Sequence, residues 1–106
     1  MRCRIMRLIV FFDLPTITHY NLTEYRTFKK FLLKNGFIMM QESVYSKLVL
    51  NNNSGELMKK QIYDNLPSSG IVQLMQVTEK QFANIEYLRG KSQNKILDST
   101  EKVTEL

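Results

Sequence analysis

Met6-Arg7-Leu8-Ile9-Val10-Phe11-Phe12-Asp13-Leu14-Pro15 is the stretch that decides how this chain folds. Its apolar, β-branched and aromatic residues read as a buried first strand. Pro15 has no amide hydrogen to give to a ladder, so the strand ends before it. The run closes on a carboxylate, Asp13, which is costly to desolvate and needs a partner. Two readings follow. Asp13 is either a strand-terminating aspartate that accepts hydrogen bonds from its own loop, or a metal ligand at a strand end.

Residues 15–20 read as a polar loop. Asn21 is a good N-cap, and Glu24 three positions later gives a capping-box pattern, so a helix is expected over 22–34 or 22–35. Gly36 ends it as the C′ residue. Tyr25, Phe28, Phe31 and Leu32 share one face at helical spacing, and Arg26, Lys30 and Lys34, flanked by Lys29, share another. Phe37-Ile38-Met39-Met40 reads as a second strand, interrupted by Gln41-Glu42. Residues 43–50 read as a third, antiparallel to it, with Val44, Ser46, Leu48 and Leu50 on one side. The cluster Asn51-Asn52-Asn53-Ser54-Gly55 reads as a turn. A second helix is expected over about 56–66, with Leu57, Ile62 and Leu66 inward and Lys59 and Lys60 outward. Pro67-Ser68-Ser69-Gly70 breaks it, and residues 71–78 read as a fourth strand. Thr78-Glu79-Lys80-Gln81 is a capping box opening a short helix through Phe82 and Ala83, and residues 85–88 read as a short fifth strand.

The order is β-α-β-β-α-β, an α+β ferredoxin-like arrangement with one antiparallel sheet. Its helices pack on one face, and the Met- and aromatic-rich strands imply a cover for the other, most simply a second subunit. One domain is expected over 1–90, followed by a flexible polar tail over 91–106.

The 106 residues suffice for one small domain. No apolar run approaches the roughly 20 residues that a membrane helix needs. The basic start before an apolar run is signal-like, but Arg7 and Asp13 interrupt it and no small-residue cleavage site follows, so export is not expected. Cys3 is the single cysteine, which excludes an internal disulfide and argues against a thiolate metal site. A cytoplasmic location fits. The net charge of +5 and pI near 9.4 point to a polyanionic partner. The tail sets Lys95 and Lys102 against Asp98, Glu101 and Glu105, so the excess positive charge sits before residue 92.

Several chemistries lack their residues. His19 is the single histidine, no serine sits on a strand-to-helix elbow, and no Gly-rich phosphate loop is present. His19, in the loop after Asp13, is either solvent-facing or an auxiliary group for a phosphate or a proton. Mg²⁺ takes one or two carboxylates plus waters and substrate phosphate. One chain offers Asp13 alone, since Glu24 is expected to cap a helix and Asp64 sits late in another. A two-fold axis beside Asp13 would bring two carboxylates together around one ion and a water aimed at a phosphodiester. The Arg26, Lys30, Lys34 ridge is either a phosphate-binding surface or the solvated side of an amphipathic helix. The aromatics of the first helix read as core, and the strands lack the aromatic motif of RNA-recognition modules.

Leu8 to Asp13, Tyr25-Arg26-Thr27-Phe28-Lys29-Lys30-Phe31-Leu32, Gly36-Phe37, Gln41-Glu42-Ser43-Val44-Tyr45 and Val77-Thr78-Glu79-Lys80-Gln81-Phe82 occur in the order seen in the Cas-two family of small CRISPR-associated adaptation proteins. The chain resembles that family over about residues 6–90. The stretches 43–48 and 78–90 look most like its type II branch. The resemblance implies a homodimer of ferredoxin-like subunits with the strand after the sheet, here 85–88, crossing to the partner. It implies a place between two dimers of the Cas-one integrase, with double-stranded prespacer DNA across the assembly, and contact with other type II CRISPR proteins. It also implies Mg²⁺-dependent endonuclease activity on RNA or duplex DNA, with the family's metal-binding aspartate matching Asp13. In a phosphodiesterase built on Asp13, Ser43 or His19 is the auxiliary group expected to place water or phosphate. Phe12 stands where many relatives carry tyrosine.

Three functional readings of the same fold follow. The first is a DNA-binding scaffold for spacer acquisition, with Arg26, Lys29, Lys30 and Lys34 at the nucleic acid. The alternative is a Mg²⁺-dependent phosphodiesterase with Asp13 at its centre. A ferredoxin-like RNA-binding or regulatory dimer unrelated to CRISPR is the third.

Overall fold

The computed structural model describes residues 5–91; the tail expected beyond Lys91 lies outside the described residues. The chain runs β1 (Met6–Asp13), α1 (His19–Lys34), β2 (Ile38–Gln41), β3 (Val44–Val49), α2 (Asn52–Asp64), β4 (Ile71–Thr78) and α3 (Glu79–Ala83). The strands form one sheet in the order β2-β3-β1-β4, and every neighbouring pair is antiparallel. This is the ferredoxin-like α+β arrangement, with β1 central and paired on both edges.

Centrality explains the composition of β1. Leu8, Val10 and Phe12 point to the helices, and Ile9 on the opposite face is only 7% exposed, so the strand is apolar on both sides. The helix side carries the core: those three residues and Leu14, with Phe28 and Leu32 of α1, Phe37, Tyr45 and Val49 from the second hairpin, and Met58 and Ile62 of α2. Phe12 is its hub. Its ring meets Phe28 edge-on at 5.3 Å and stacks on Tyr45 at 5.6 Å. Each such pair contributes about 0.5–1.5 kcal/mol beyond its burial.

The α1 interior follows the expected face, but its start does not. The helix opens at His19, with Thr18 as N-cap: the Thr18 hydroxyl accepts from the Asn21 N–H, and the Asn21 side chain accepts from the Thr18 N–H. Asn21 thus fills the N3 role expected of Glu24, and the helix gains its first turn from the segment read as a loop. At the other end Gly36 has φ +90°, the Gly36 N–H donates to the Leu33 carbonyl and the Phe37 N–H to the Leu32 carbonyl. This is a Schellman closure, as Gly36 implied.

The second helix also starts early. Asn51 accepts from the Ser54 N–H at 2.8 Å, so most of the cluster read as a turn is the first turn of α2. The shift rotates the buried face to Gly55, Met58 and Ile62. Of the residues expected inward, Leu57 is 62% exposed and Leu66, beyond the C-cap Asn65, is 42% exposed. Gly55 faces β3 and β4, where a Cβ would make ordinary contact with the Gln76 side chain at 3.5 Å and the Val49 side chain at 3.8 Å. In β3, Val44, Ser46 and Leu48 share a side as expected, and it is Tyr45 and Val49 on the other side that enter the core.

The short helix α3 has the expected Thr78–Gln81 capping box. It docks through Arg7, whose guanidinium forms a two-pronged bond with Glu79 (2.8 and 3.0 Å) and lies 4.2 Å above the Phe82 ring. Residues 85–88, expected as a fifth strand, pair with no strand among the described residues. Ile85, Tyr87 and Leu88 are 40, 47 and 92% exposed. Among the described residues, no helix is long and apolar enough to cross a membrane.

Candidate functional site

Side chains alternate along β1, so Asp13 points away from the helices, toward the same face as Ile9 and Phe11. It is the last residue of the strand, paired with Ile71, and it is exposed. With Ser43, Gln73 and the apolar flanks of Phe11 and Val44 it lines an open depression of about 290 Å³. Among the described residues, no donor reaches its carboxylate. The loop-bonded reading of Asp13 is therefore not what the fold builds. The backbone behind it is fixed instead by the α2–β4 loop. Gly70 has φ +92°, and a Cβ there would stand 2.7 Å from the Asp13 carbonyl oxygen and 2.7 Å from Leu14 Cδ2. Gly70→Ala combines that clash with a left-handed backbone that costs a non-glycine residue about 1–3 kcal/mol. We expect a melting temperature lower by several degrees and a displaced Asp13, measurable by thermal denaturation and by the Asp13 amide shift.

The same loop explains the true role of Glu24. Rather than capping α1, its carboxylate accepts from the Ser68 hydroxyl at 2.7 Å, from the Ser68 N–H at 3.1 Å and from the Tyr20 hydroxyl at 3.2 Å. Those donors, the Ser68 hydroxyl first, hold the Glu24 carboxyl below its ordinary value of 4.5. Arg7 does the same for Glu79. Both folded-state values are depressed, so the stability that these carboxylates contribute is present above pH 4.5 and is lost as pH falls through the folded values. Thermal melts between about pH 6 and pH 3 should show the decline, and Glu24→Gln should blunt it.

At the opposite wall, the Glu42–Ser43 turn joins β2 to β3. Ser43 has φ +68°, and its carbonyl accepts from the Phe12 N–H at 3.0 Å, which ties the turn to the end of β1. The Tyr25 hydroxyl donates to the Glu42 carboxylate. That carboxylate, with partial burial, raises the Tyr25 pKa, and a hydrogen bond from the Ser43 side chain acts in the opposite direction. Burial pushes Tyr45 up to about 12, and its hydroxyl has no partner among the described residues. The Phe12 ring lies in the core, on the side of the sheet opposite Asp13.

The remaining candidate residues fall elsewhere. His19 is exposed at the start of α1 and is not among the residues lining the depression. Arg26, Lys30 and Lys34 are exposed along α1, while Lys29 is half-buried. On α2, Lys59 and Lys60 already pair with Glu56 (3.1 Å) and Asp64 (3.4 Å). The ridge and Asp13 thus lie on opposite sides of the sheet. Sequence reasoning missed Tyr25, which was read as core alone, and Glu42, which was read as an interruption; no spacing rule links residues 17 apart.

The donor set fits a hydrated Mg²⁺. Asp13 supplies an oxygen with no internal competitor, Ser43 supplies a neutral oxygen nearby, and the depression is open to the waters that Mg²⁺ keeps. Among the described residues, no group of three or more His, Cys, Asp or Glu side chains that could hold a metal exists, and Asp13 is the carboxylate that lines the depression.

Residues 6–85 match the family described as "CRISPR associated protein Cas2". The chain belongs to the Cas2 family. It is 48% identical over 101 residues to a Treponema denticola protein named CRISPR-associated endoribonuclease Cas2, covering 95% of this chain and 100% of that one. Proteins of the same name from Streptococcus mutans (47% over 98 residues; 92% and 90% covered) and Ligilactobacillus salivarius (43% over 97 residues; 92% and 96%) are also similar. Asp13, Ser43 and the α1 ridge all fall within the part matched to Cas2.

Proposed function

We propose that this Cas2 family member is a cytoplasmic, homodimeric subunit of CRISPR adaptation that carries a Mg²⁺-dependent endoribonuclease site at Asp13. One observation carries the nuclease reading: a carboxylate without an internal partner stands at the end of a central strand, in an open depression, on the sheet face left bare by the helices. The names of the relatives support RNA as the substrate. That bare face supports the dimer. Ile38, Leu48, Ile71 and Met75 are 43–59% exposed on it, and the unpaired segment 85–88 lies nearby to extend a second copy's sheet. A two-fold axis across the face would bring a second Asp13 to the first.

The chemistry supplied by bound Mg²⁺ is neutralisation of phosphate charge and a more acidic water. The chain's own residues do the rest. Asp13 would hold the ion, Ser43 would offer a hydroxyl to a phosphate oxygen, and Phe11, Val44 and Ile71 give the depression an apolar rim. RNA cleavage that is lost with EDTA and with Asp13→Ala supports the site, and cleavage that survives Asp13→Ala removes it.

A second reading rests on a different surface. Arg26, Lys30 and Lys34 are exposed in a row spanning about 12 Å of α1, which suits backbone contacts to double-stranded prespacer DNA. In this reading the dimer bridges Cas-one integrase dimers in a type II system, and Asp13→Ala leaves spacer acquisition intact. Loss of acquisition in a folded, assembled Asp13→Ala protein overturns the separation of the two roles.

A further inference from the structure

We propose that Tyr25 and Glu42 are positioning residues for the Asp13 site: Tyr25, anchored on α1, holds the Glu42–Ser43 turn against the end of β1 and keeps the Ser43 hydroxyl at the rim of the depression that Asp13 lines. The proposal deepens the nuclease reading and rests on it for the role of Ser43, but the clasp itself stands on geometry alone.

Two hydrogen bonds, one ring contact and the Glu42–Ser43 peptide link close a ring around the end of β1. The Tyr25 hydroxyl donates to Glu42, the next residue in the chain is Ser43, and the Ser43 carbonyl accepts from the Phe12 N–H at 3.0 Å. The Phe12 ring then meets the Tyr25 ring edge-on, at 6.0 Å and 63°. Phe12 directly precedes Asp13, so the ring of contacts joins helix, turn and strand at the residue beside the carboxylate. The Ser43 backbone shows why such support is needed. A φ of +68° in a non-glycine residue costs about 1–3 kcal/mol and persists where neighbours over-determine it. Glycine would relieve that strain and would also lose the hydroxyl.

The clasp has a direction. The Glu42 carboxylate is an acceptor, so the Tyr25 hydroxyl donates to it, and Ser43 follows Glu42 directly in the turn. Holding the turn keeps Ser43 on the lining of the depression, with its hydroxyl available to a phosphate oxygen or a water beside Asp13. A phenylalanine at 25 keeps the ring packing with Phe12 and deletes only the polar end of the clasp.

Amide hydrogen exchange tests the clasp without any metal or substrate. In Tyr25→Phe, exchange at the Phe12 amide should rise at least about tenfold, while the Val10 amide in the same strand stays at its wild-type rate. Glu42→Gln, which keeps an acceptor in place, should raise it less. Cleavage of RNA in Mg²⁺ then tests the positioning. Tyr25→Phe and Ser43→Ala should each lower kcat about tenfold at unchanged KM, and the double variant should be no worse than either single. Unchanged exchange at Phe12 overturns the clasp, as does a rise equal to that at Val10, which marks a merely structural loss. Additive kcat losses overturn positioning through Ser43. If Asp13→Ala cleaves as wild type does, the nuclease reading fails separately, and the exchange result still decides whether Tyr25 and Glu42 hold the turn.

Discussion

Replacing Asp13 with alanine should lower Mg²⁺-dependent cleavage of RNA by at least about a hundredfold and leave the melting temperature within a degree or two of wild type. The two halves of this expectation have separate causes. Asp13 is exposed and receives no hydrogen bond among the described residues, so its removal leaves no buried group unpaired. The strand is held by its pairing with Ile71 and by Phe12 in the core, neither of which involves the carboxylate. The activity loss follows from the donor inventory. Each chain brings one carboxylate to the depression, and an ion held by one carboxylate per chain loses its charged ligands altogether when that residue changes. Several kcal/mol of charge stabilisation then disappear, and each 1.4 kcal/mol is about tenfold in rate. A steady-state assay with melting curves on the same preparations checks both halves.

Reversing the charge of Arg26 and Lys30 together should weaken duplex DNA binding at least about tenfold near physiological salt and lower the slope of log affinity against log salt by about two per chain. Both side chains are exposed along α1, and each reversal removes one attraction and adds one repulsion. Reversal of Lys59 and Lys60 is the control. These lysines already sit beside Glu56 and Asp64, so their field is partly cancelled and the effect should be smaller. The ridge lies across the sheet from Asp13, so the Arg26, Lys30 double variant should retain cleavage of a short RNA, and Asp13→Ala should retain DNA affinity. Fluorescence anisotropy across a salt series measures both.

The fold was legible where local chemistry and tertiary packing agree. The run from Leu8 to Asp13, closed by Pro15, carries the signature of a strand buried on both faces. Gly36 sits where a positive φ is required, and the face of Tyr25, Phe28 and Leu32 is the face that packs. Legibility failed where two residues compete for one role. Asn21 looked like a cap, but Thr18 takes that place and Asn21 serves it from N3, because Glu24 is drawn to Ser68 some 44 positions away. Asn51 looked like a turn residue for the same chemical reason that it caps α2. That shift of the helix start moved the buried stripe from Leu57 to Met58. At the site, Asp13 was legible because a carboxylate after an apolar strand is conspicuous. Tyr25 and Glu42 were not, because their meeting depends on the β2–β3 turn folding back over α1, which no local pattern encodes.

The most direct test of the account is the stoichiometry of Mn²⁺, used as a spectroscopic stand-in for Mg²⁺, bound to the purified protein. The account predicts one ion for every two chains, lost in Asp13→Ala, because each chain provides half a site. One ion per chain, or binding that Asp13→Ala leaves unchanged, contradicts it.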